Sequence, residues 1–222
     1  MKLAHYLLNH PIEWKDYYVN TFVIENSVLY RDFLLELCKQ LKGEDGGFVL
    51  SDGLEILNFS KNVEIIANLI DLGNEIDKKI STAIIKDLNE IAINDYYVDT
   101  LELYQKINEL VSNLIFKSDQ DLMFDEINDM SQLLKLYNVR PDYSEMTFAE
   151  KLLFYMELCE KYLKKKLFVI ANLHSFFTKE EQELLFKSFV YRQYKVFIVE
   201  RYDVKALELE QKRIIDIDLC EI

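Results

Sequence analysis

The chain has 222 residues, half of them hydrophobic, with 5 Gly, 2 Pro and a formal net charge of -13. This is enough chain for one large or two small domains, and the scarcity of Gly and Pro excludes a disordered or loop-rich all-β chain. No run of roughly 18 apolar residues occurs, so no transmembrane helix is expected.

Cys38, Cys159 and Cys220 lie far apart without CxxC spacing and read as ordinary buried thiols of a reducing compartment. MKLAHYLLNHP (1–11) holds too short an apolar stretch for a signal peptide. A cytoplasmic protein is expected.

YYVNTFVIE (17–25) is aromatic and β-branched enough for a strand. Asn26 or Ser27 is suited to cap a helix running to about Lys42, which GEDGG (43–47) ends. FVLSDGLEILNF (48–59) reads as a hairpin around Ser-Asp-Gly. From Asn62 the spacing turns helical: Val63, Ile66 and Ile70, then Ile80, Ile84, Leu88 and Ile91, then Leu101, Tyr104, Ile107, Leu110 or Val111 and Leu114, then Ile127, Met130, Leu133 or Leu134 and Tyr137. Thr147 and Glu150 form a capping box that opens a helix to about Leu163. LFVIAN (167–172) and KVFIVE (195–200) read as central strands joined by a helix that Thr178 and Glu181 cap, and RIIDIDL (213–219) reads as a third strand. Strand, helix, strand in units of this length is a βαβ crossover and predicts a parallel sheet. The expected fold is an α/β head from residues 1–60 and 164–222, with an all-helical leg, 61–163, inserted.

Charge is unevenly spread. Residues 61–160 carry a net -11, whereas 161–201 carry +5. The basic stretch opens at KYLKKKLFVIAN (161–172), where Lys164, Lys165 and Lys166 stand just before a strand, and it continues through Lys179 and Lys187. Such lysines suit phosphate contacts, which position a nucleic acid without reading its sequence; the plainer role is to complement a helix dipole. In KSDQDLMFDEIND (117–129), Asp119 and Asp121 are expected in a connector and Asp125 and Glu126 in the first turn of the next helix. Hard cations such as calcium favour clustered carboxylates of this kind, and so does a helix N-terminus by itself. A GxxxxGK[ST] loop is absent, and KGEDGGF (42–48) puts Glu44 and Asp45 where a phosphate would sit. His5, His10 and His174 are scattered, and no nucleophile accompanies His174.

YLLNHPIEW (6–14), DLMFDEINDMSQLLKLYNV (121–139), YLKKKLFVIANLHSFFTKEEQELL (162–185) and KVFIVE (195–200) together resemble the ring-forming spacer-acquisition proteins of type II-A CRISPR systems, nearly end to end. The resemblance implies a head akin to P-loop ATPase heads but without Walker A or ATPase activity, and a helical leg. It implies a homotetrameric ring that binds calcium and is threaded by double-stranded DNA through its ends, without sequence preference. It further implies work alongside other CRISPR adaptation proteins and the RNA-guided nuclease, in the cytoplasm, and no enzymatic activity. Asp121, Asp125 and Glu126, with Asp119 behind them, match the family's acidic stretch and are the calcium candidates. Lys164, Lys165 and Lys166 match its basic stretch and, with Lys179 and Lys187, are the DNA candidates. Two alternatives come from the residues themselves: a metal-dependent nuclease built on Asp119, Asp121 and Asp125, and a helical scaffold that binds protein only.

Overall fold

The computed structural model describes residues 1–14, 18–72 and 78–222. Tyr17 of the expected first strand lies outside them. In chain order the elements are β1 (Lys2–Ala4), β2 (Ile12–Glu13), β3 (Val19–Ile24), α1 (Ser27–Leu41), β4 (Val49–Asp52), β5 (Glu55–Leu57), α2 (Phe59–Asn62) and β6 (Val63–Ile66). There follow α3 (Lys78–Asn94), α4 (Tyr97–Phe116), α5 (Met130–Leu136), α6 (Phe148–Leu163), β7 (Leu167–Ala171), α7 (Leu173–Phe176), α8 (Lys179–Tyr191), β8 (Lys195–Glu200) and β9 (Glu210–Ile215). The chain divides into two compact units, Met1–Glu75 with Tyr143–Ile222, and Ile76–Asp142.

The first unit is built on a five-stranded sheet in the order β6-β7-β8-β3-β9, with every pair parallel. β3, β7 and β8 are buried almost throughout because both faces are covered, although β3 carries Asn20 and Thr21 inside. Phe22, Ile24, Val63, Leu167, Val169, Phe197 and Val199 share one core with α1 and with a second, antiparallel sheet in the order β2-β1-β4-β5. Alternation sends Phe168, Ile170, Val196 and Ile198 to the other face, where α6 and α8 bury Leu152, Met156, Leu185, Phe186 and Phe189. The Trp14 indole N–H donates to the Val196 carbonyl at 3.1 Å and ties the small sheet to the large one.

Local signals set many of these ends. The Asn26 side chain accepts from the amides of Val28 and Leu29 and starts α1. Thr147 and Glu150 start α6, and Thr178 and Glu181 start α8, each with a full capping box. Gly53, at φ +59, makes the hairpin turn between β4 and β5.

Four expectations change. Residues 63–66 form a strand, not the start of a helix, because Val63–Ile66 pairs along β7 and alternates Val63 and Ile65 to one covered face with Glu64 and Ile66 to the other. Residues 61–66 and 148–163, read from sequence as leg, belong to the unit that holds the sheet. The last strand runs from Glu210 to Ile215, not 213–219, and lies beside β3. Cys159 is buried and Cys38 half-buried, but Cys220 is exposed.

The described part of the second unit is helical, with α3 packed on both α4 and α5. Thr100 and Tyr104 are the buried positions of α4, and the Thr100 hydroxyl donates to the Ala92 carbonyl at 3.1 Å. Among the described residues no helix is long and apolar enough to cross a membrane.

Candidate nucleic-acid interface

The lysine stretch is the link between α6 and β7. Lys164 caps α6 in the left-handed region, at φ 57 and ψ 32. The Lys165 amide then donates back to the Cys159 carbonyl at 3.2 Å, and the Lys166 amide donates to the Asn62 carbonyl at 2.7 Å. The helix therefore becomes a strand within three residues, and successive side chains leave the backbone in different directions.

Lys164 and Lys166 are exposed. Lys165 is not. Its side chain is only 11% exposed; its ammonium donates to the carbonyls of Ser60 at 2.9 Å and Val63 at 2.7 Å and lies 3.4 Å from the Glu64 carboxylate. Tyr155 donates its hydroxyl to the other oxygen of Glu64 at 2.9 Å. Burial and then the Glu64 charge push the Tyr155 hydroxyl far upward, so it remains a donor. Lys165 thus braces β6 against β7, and the cations offered to solvent at this link are Lys164 and Lys166.

Lys179 and Lys187 are exposed too, but elsewhere. The chain crosses the sheet along β7 before Lys179 opens α8, so Lys179 and Lys166 stand beyond opposite ends of that strand. Lys187 follows about two turns along α8. The five lysines do not form one cluster.

The acidic candidates lie in the helical unit. Asp119, Asp121, Asp125 and Glu126 are all exposed. The expected helix over Asp125 and Glu126 is absent; α5 starts at Met130, capped by Asp129, whose carboxylate accepts from the Ser131 amide at 2.9 Å. The Asn108 amide group holds the preceding chain non-helical, accepting from the Ile127 amide at 2.9 Å and donating to its carbonyl at 3.1 Å. No group of three or more His, Cys, Asp or Glu able to hold a metal ion occurs among the described residues. Calcium takes about six to eight oxygens, so these four carboxylates would need further donors to hold it.

The buried charges are a different set, and sequence reading missed most of it. His174, with its side chain 4% exposed, is bonded through Nδ1 to Gln182 Oε1 at 2.8 Å and through Nε2 to Glu210 Oε1 at 3.0 Å. Glu200, at the end of β8, is 2% exposed and accepts from the His174 backbone amide at 2.9 Å. Burial acts to lower the His174 pKa, but the Glu210 hydrogen bond and the charges of Glu210 and Glu200 outweigh it and raise it. Burial likewise opposes ionisation of Glu210, yet the His174 hydrogen bond and the Leu207 amide hold its carboxyl below the usual range. Glu200 goes the other way, pushed up to about 6 chiefly by burial. Both ring nitrogens of His174 are engaged, so neither is presented to a substrate. The one sequence signal was a glutamate closing the otherwise apolar run VFIVE. His5 is also buried, stacked on Phe48 and 3.2 Å from Glu36, and burial lowers its pKa.

Glu200 yields a pH signature. Its folded value of about 6 lies above the ordinary 4.5, so the neutral acid is the form the native state favours. That contribution is complete below 4.5 and is lost as pH rises through 6, by about 2 kcal/mol at neutral pH. Glu200→Gln keeps an acceptor for the His174 amide without the charge. Urea unfolding should show it up to about 2 kcal/mol more stable than wild type at pH 7.5 and no more stable at pH 4. A stability difference independent of pH would contradict this account.

The family model described as CRISPR-associated protein (Cas_Csn2) matches residues 40–219. No curated protein matches the chain. Among solved structures, one described as a candidate ABC transporter (ATP-binding protein) from Pyrococcus furiosus is similar at 12% identity, over 91% of this chain and 86% of that chain, with a TM-score of 0.39.

Proposed function

Because the chain belongs to the Cas_Csn2 family of CRISPR-associated proteins, we propose that it binds the ends of double-stranded DNA without sequence preference, as a homotetrameric ring, and so supports spacer acquisition. The observation that carries this reading is the α6–β7 link, where Lys164 and Lys166 stand exposed on either side of a lysine locked into the fold. Exposed cations on a rigid support suit phosphate contacts, which set register and carry no sequence information. A ring with an acidic exterior and a basic lumen reconciles DNA binding with a net charge of -13. In this reading the protein holds DNA and does not cut it. It acts in the cytoplasm with other adaptation proteins and the RNA-guided nuclease. Calcium, if held by Asp119, Asp121, Asp125 and Glu126, needs further donors from backbone carbonyls or another chain, and no step of the reading depends on it.

The test is a shift assay on linear and covalently closed circular duplex, across a salt series, with calcium and with chelator. Linear DNA should bind, more weakly as salt rises, and circular DNA should bind far less because a ring must thread an end. Equal binding of the two forms overturns threading. No binding at low salt overturns the DNA reading and favours the protein-binding scaffold. Cleavage in Mg²⁺ or Mn²⁺ that is lost in Asp125→Ala would replace it with a nuclease.

A further inference from the structure

The chain leaves β8 at Glu200 and enters β9 at Glu210, and β3 lies between those two strands in the sheet. Residues 201–209 therefore cross over β3. They contain no helix or strand, and residues 202–206 are exposed. A parallel crossover is usually filled by a helix, so this one is held down by other means.

Lys212 ties its first half, donating to the Asp203 carboxylate and, at 2.6 Å, to the Val204 carbonyl. At its end the Leu209 carbonyl accepts from the Val19 amide at 3.0 Å. Between these ties stand residues 205–208, and what holds them is Glu210. The Leu207 amide donates to Glu210 Oε2 at 2.9 Å, and the Leu207 carbonyl accepts from the Glu210 amide at 3.1 Å. Glu210 Oε1 is bonded to His174 Nε2 at 3.0 Å, so one side chain joins this segment to the ring. Behind the segment is a cavity of about 420 Å³, with His174, Lys179 and Gln182 on one wall and Val204, Lys205 and Leu207 on the other. That volume is in the range of small-molecule pockets, so the position of the segment sets access to it.

The charges around His174 come from every element packed on it. Glu210 of β9 meets Nε2, and Glu200 of β8 accepts from the His174 amide. Lys179 and Glu183 of α8, with Lys205 and Glu208, face it across the cavity and balance in sign. Gln182 of α8 is neutral, as is Thr21 of β3, beside Glu210. Tyr30 of α1 and Arg201 lie beyond Glu200. The protonated ring is thus the cation that faces both buried carboxylates. A neutral ring leaves Glu200 and Glu210 as two like charges away from water, and its bond to Glu210 loses its charge assistance.

We infer that residues 205–208 are a flap latched over this cavity by His174 through Glu210, and that the latch releases when His174 gives up its proton. The hinges are the ties to Lys212 and Val19, whose bonds do not involve the titrating pair. Burial opposes protonation of His174, but Glu210 and Glu200 outweigh it and hold its pKa above 6.5, whereas that of Glu210 lies below 4.5. The latch is therefore closed between 4.5 and 6.5 and opens as pH rises through the His174 value.

Amide exchange is to be followed by NMR on the full chain from about pH 6 to about pH 9, each rate taken relative to that of an unstructured chain at the same pH. The Leu207 amide should lose about fivefold in protection across that range, as a charge-assisted bond becomes a neutral one. Amides of β7, which open only on global unfolding, should stay far more protected throughout. In His174→Gln the Leu207 amide should be less protected than in wild type at pH 6 and should not respond to pH. If that variant does not fold, the wild-type profile alone decides. Leu207 protection that is constant with pH, or that equals that of β7 at every pH, overturns the latch.

Discussion

Replacing Lys165 with methionine should destabilise the fold by about 3–5 kcal/mol and lower its melting temperature by roughly 10 °C. Methionine keeps the length and apolar character of the lysine stem. It removes the charge, however, and leaves three acceptors behind. Glu64, whose side chain is 14% exposed, loses its cation, and the carbonyls of Ser60 and Val63 lose the ammonium they share. Breaking a buried pair costs more than the pair contributes, because the surviving charge is stranded away from water. Tyr155 still donates to Glu64 and limits the damage. Glu64→Gln in the same chain should recover part of the loss, as coupled partners do. Lys164→Ala and Lys166→Ala should each stay within about 0.5 kcal/mol of wild type, as exposed residues do. Calorimetry on the four variants decides the matter. A Lys165→Met protein as stable as Lys166→Ala would mean that Lys165 is a surface cation after all.

Glu210→Ala should cost a similar amount, about 3–5 kcal/mol, with a dependence on pH set by the shifts of His174 and Glu210. The substitution leaves His174 buried with its Nε2–H unpaired and its charge facing only Glu200 across the cluster. The sign follows from the two shifts. The His174 pKa is raised, so its contribution is full below 6.5 and disappears as pH rises through the folded value. The Glu210 pKa is lowered, so its contribution is full above 4.5 and disappears as pH falls through the folded value. The pair is therefore worth most between 4.5 and 6.5. The penalty of Glu210→Ala, read from urea unfolding, should peak in that window and shrink on both sides. A penalty that is flat with pH would show that Glu210 acts by packing alone. Because Glu210 opens β9, losing it should also loosen that edge strand, visible as faster amide exchange from Glu210 to Ile215.

These two clusters mark where sequence reading stops. Lys165 stands in an unbroken KKK run, and nothing in the run distinguishes the middle lysine from its neighbours. The distinction comes from Ser60, Val63 and Glu64, about a hundred residues earlier, once β6 has paired with β7. His174 looked isolated for the same reason, since its partners Gln182 and Glu210 stand on a later helix and on the last strand. Asp125 and Glu126 were misplaced because a tertiary hydrogen bond competes with the local signal. Their acidic, amphipathic run has the signature of a helix start, but Asn108 on α4 claims the Ile127 backbone and delays α5 to Met130.

By itself the sequence determined what depends on near neighbours. Two capping boxes, the Asn26 cap, the Gly53 turn and the apolar runs of β7 and β8 were all legible, because caps need three or four residues and a doubly covered strand is mostly apolar. The parallel sheet followed from the βαβ spacing, and the quoted segments carried the family. Only the tertiary structure decided that β6 is a strand, that β3 lies between β8 and β9, and which lysine of three is locked inside. Each of these depends on a pairing between residues far apart in the chain, and periodicity along a sequence has no access to such pairings.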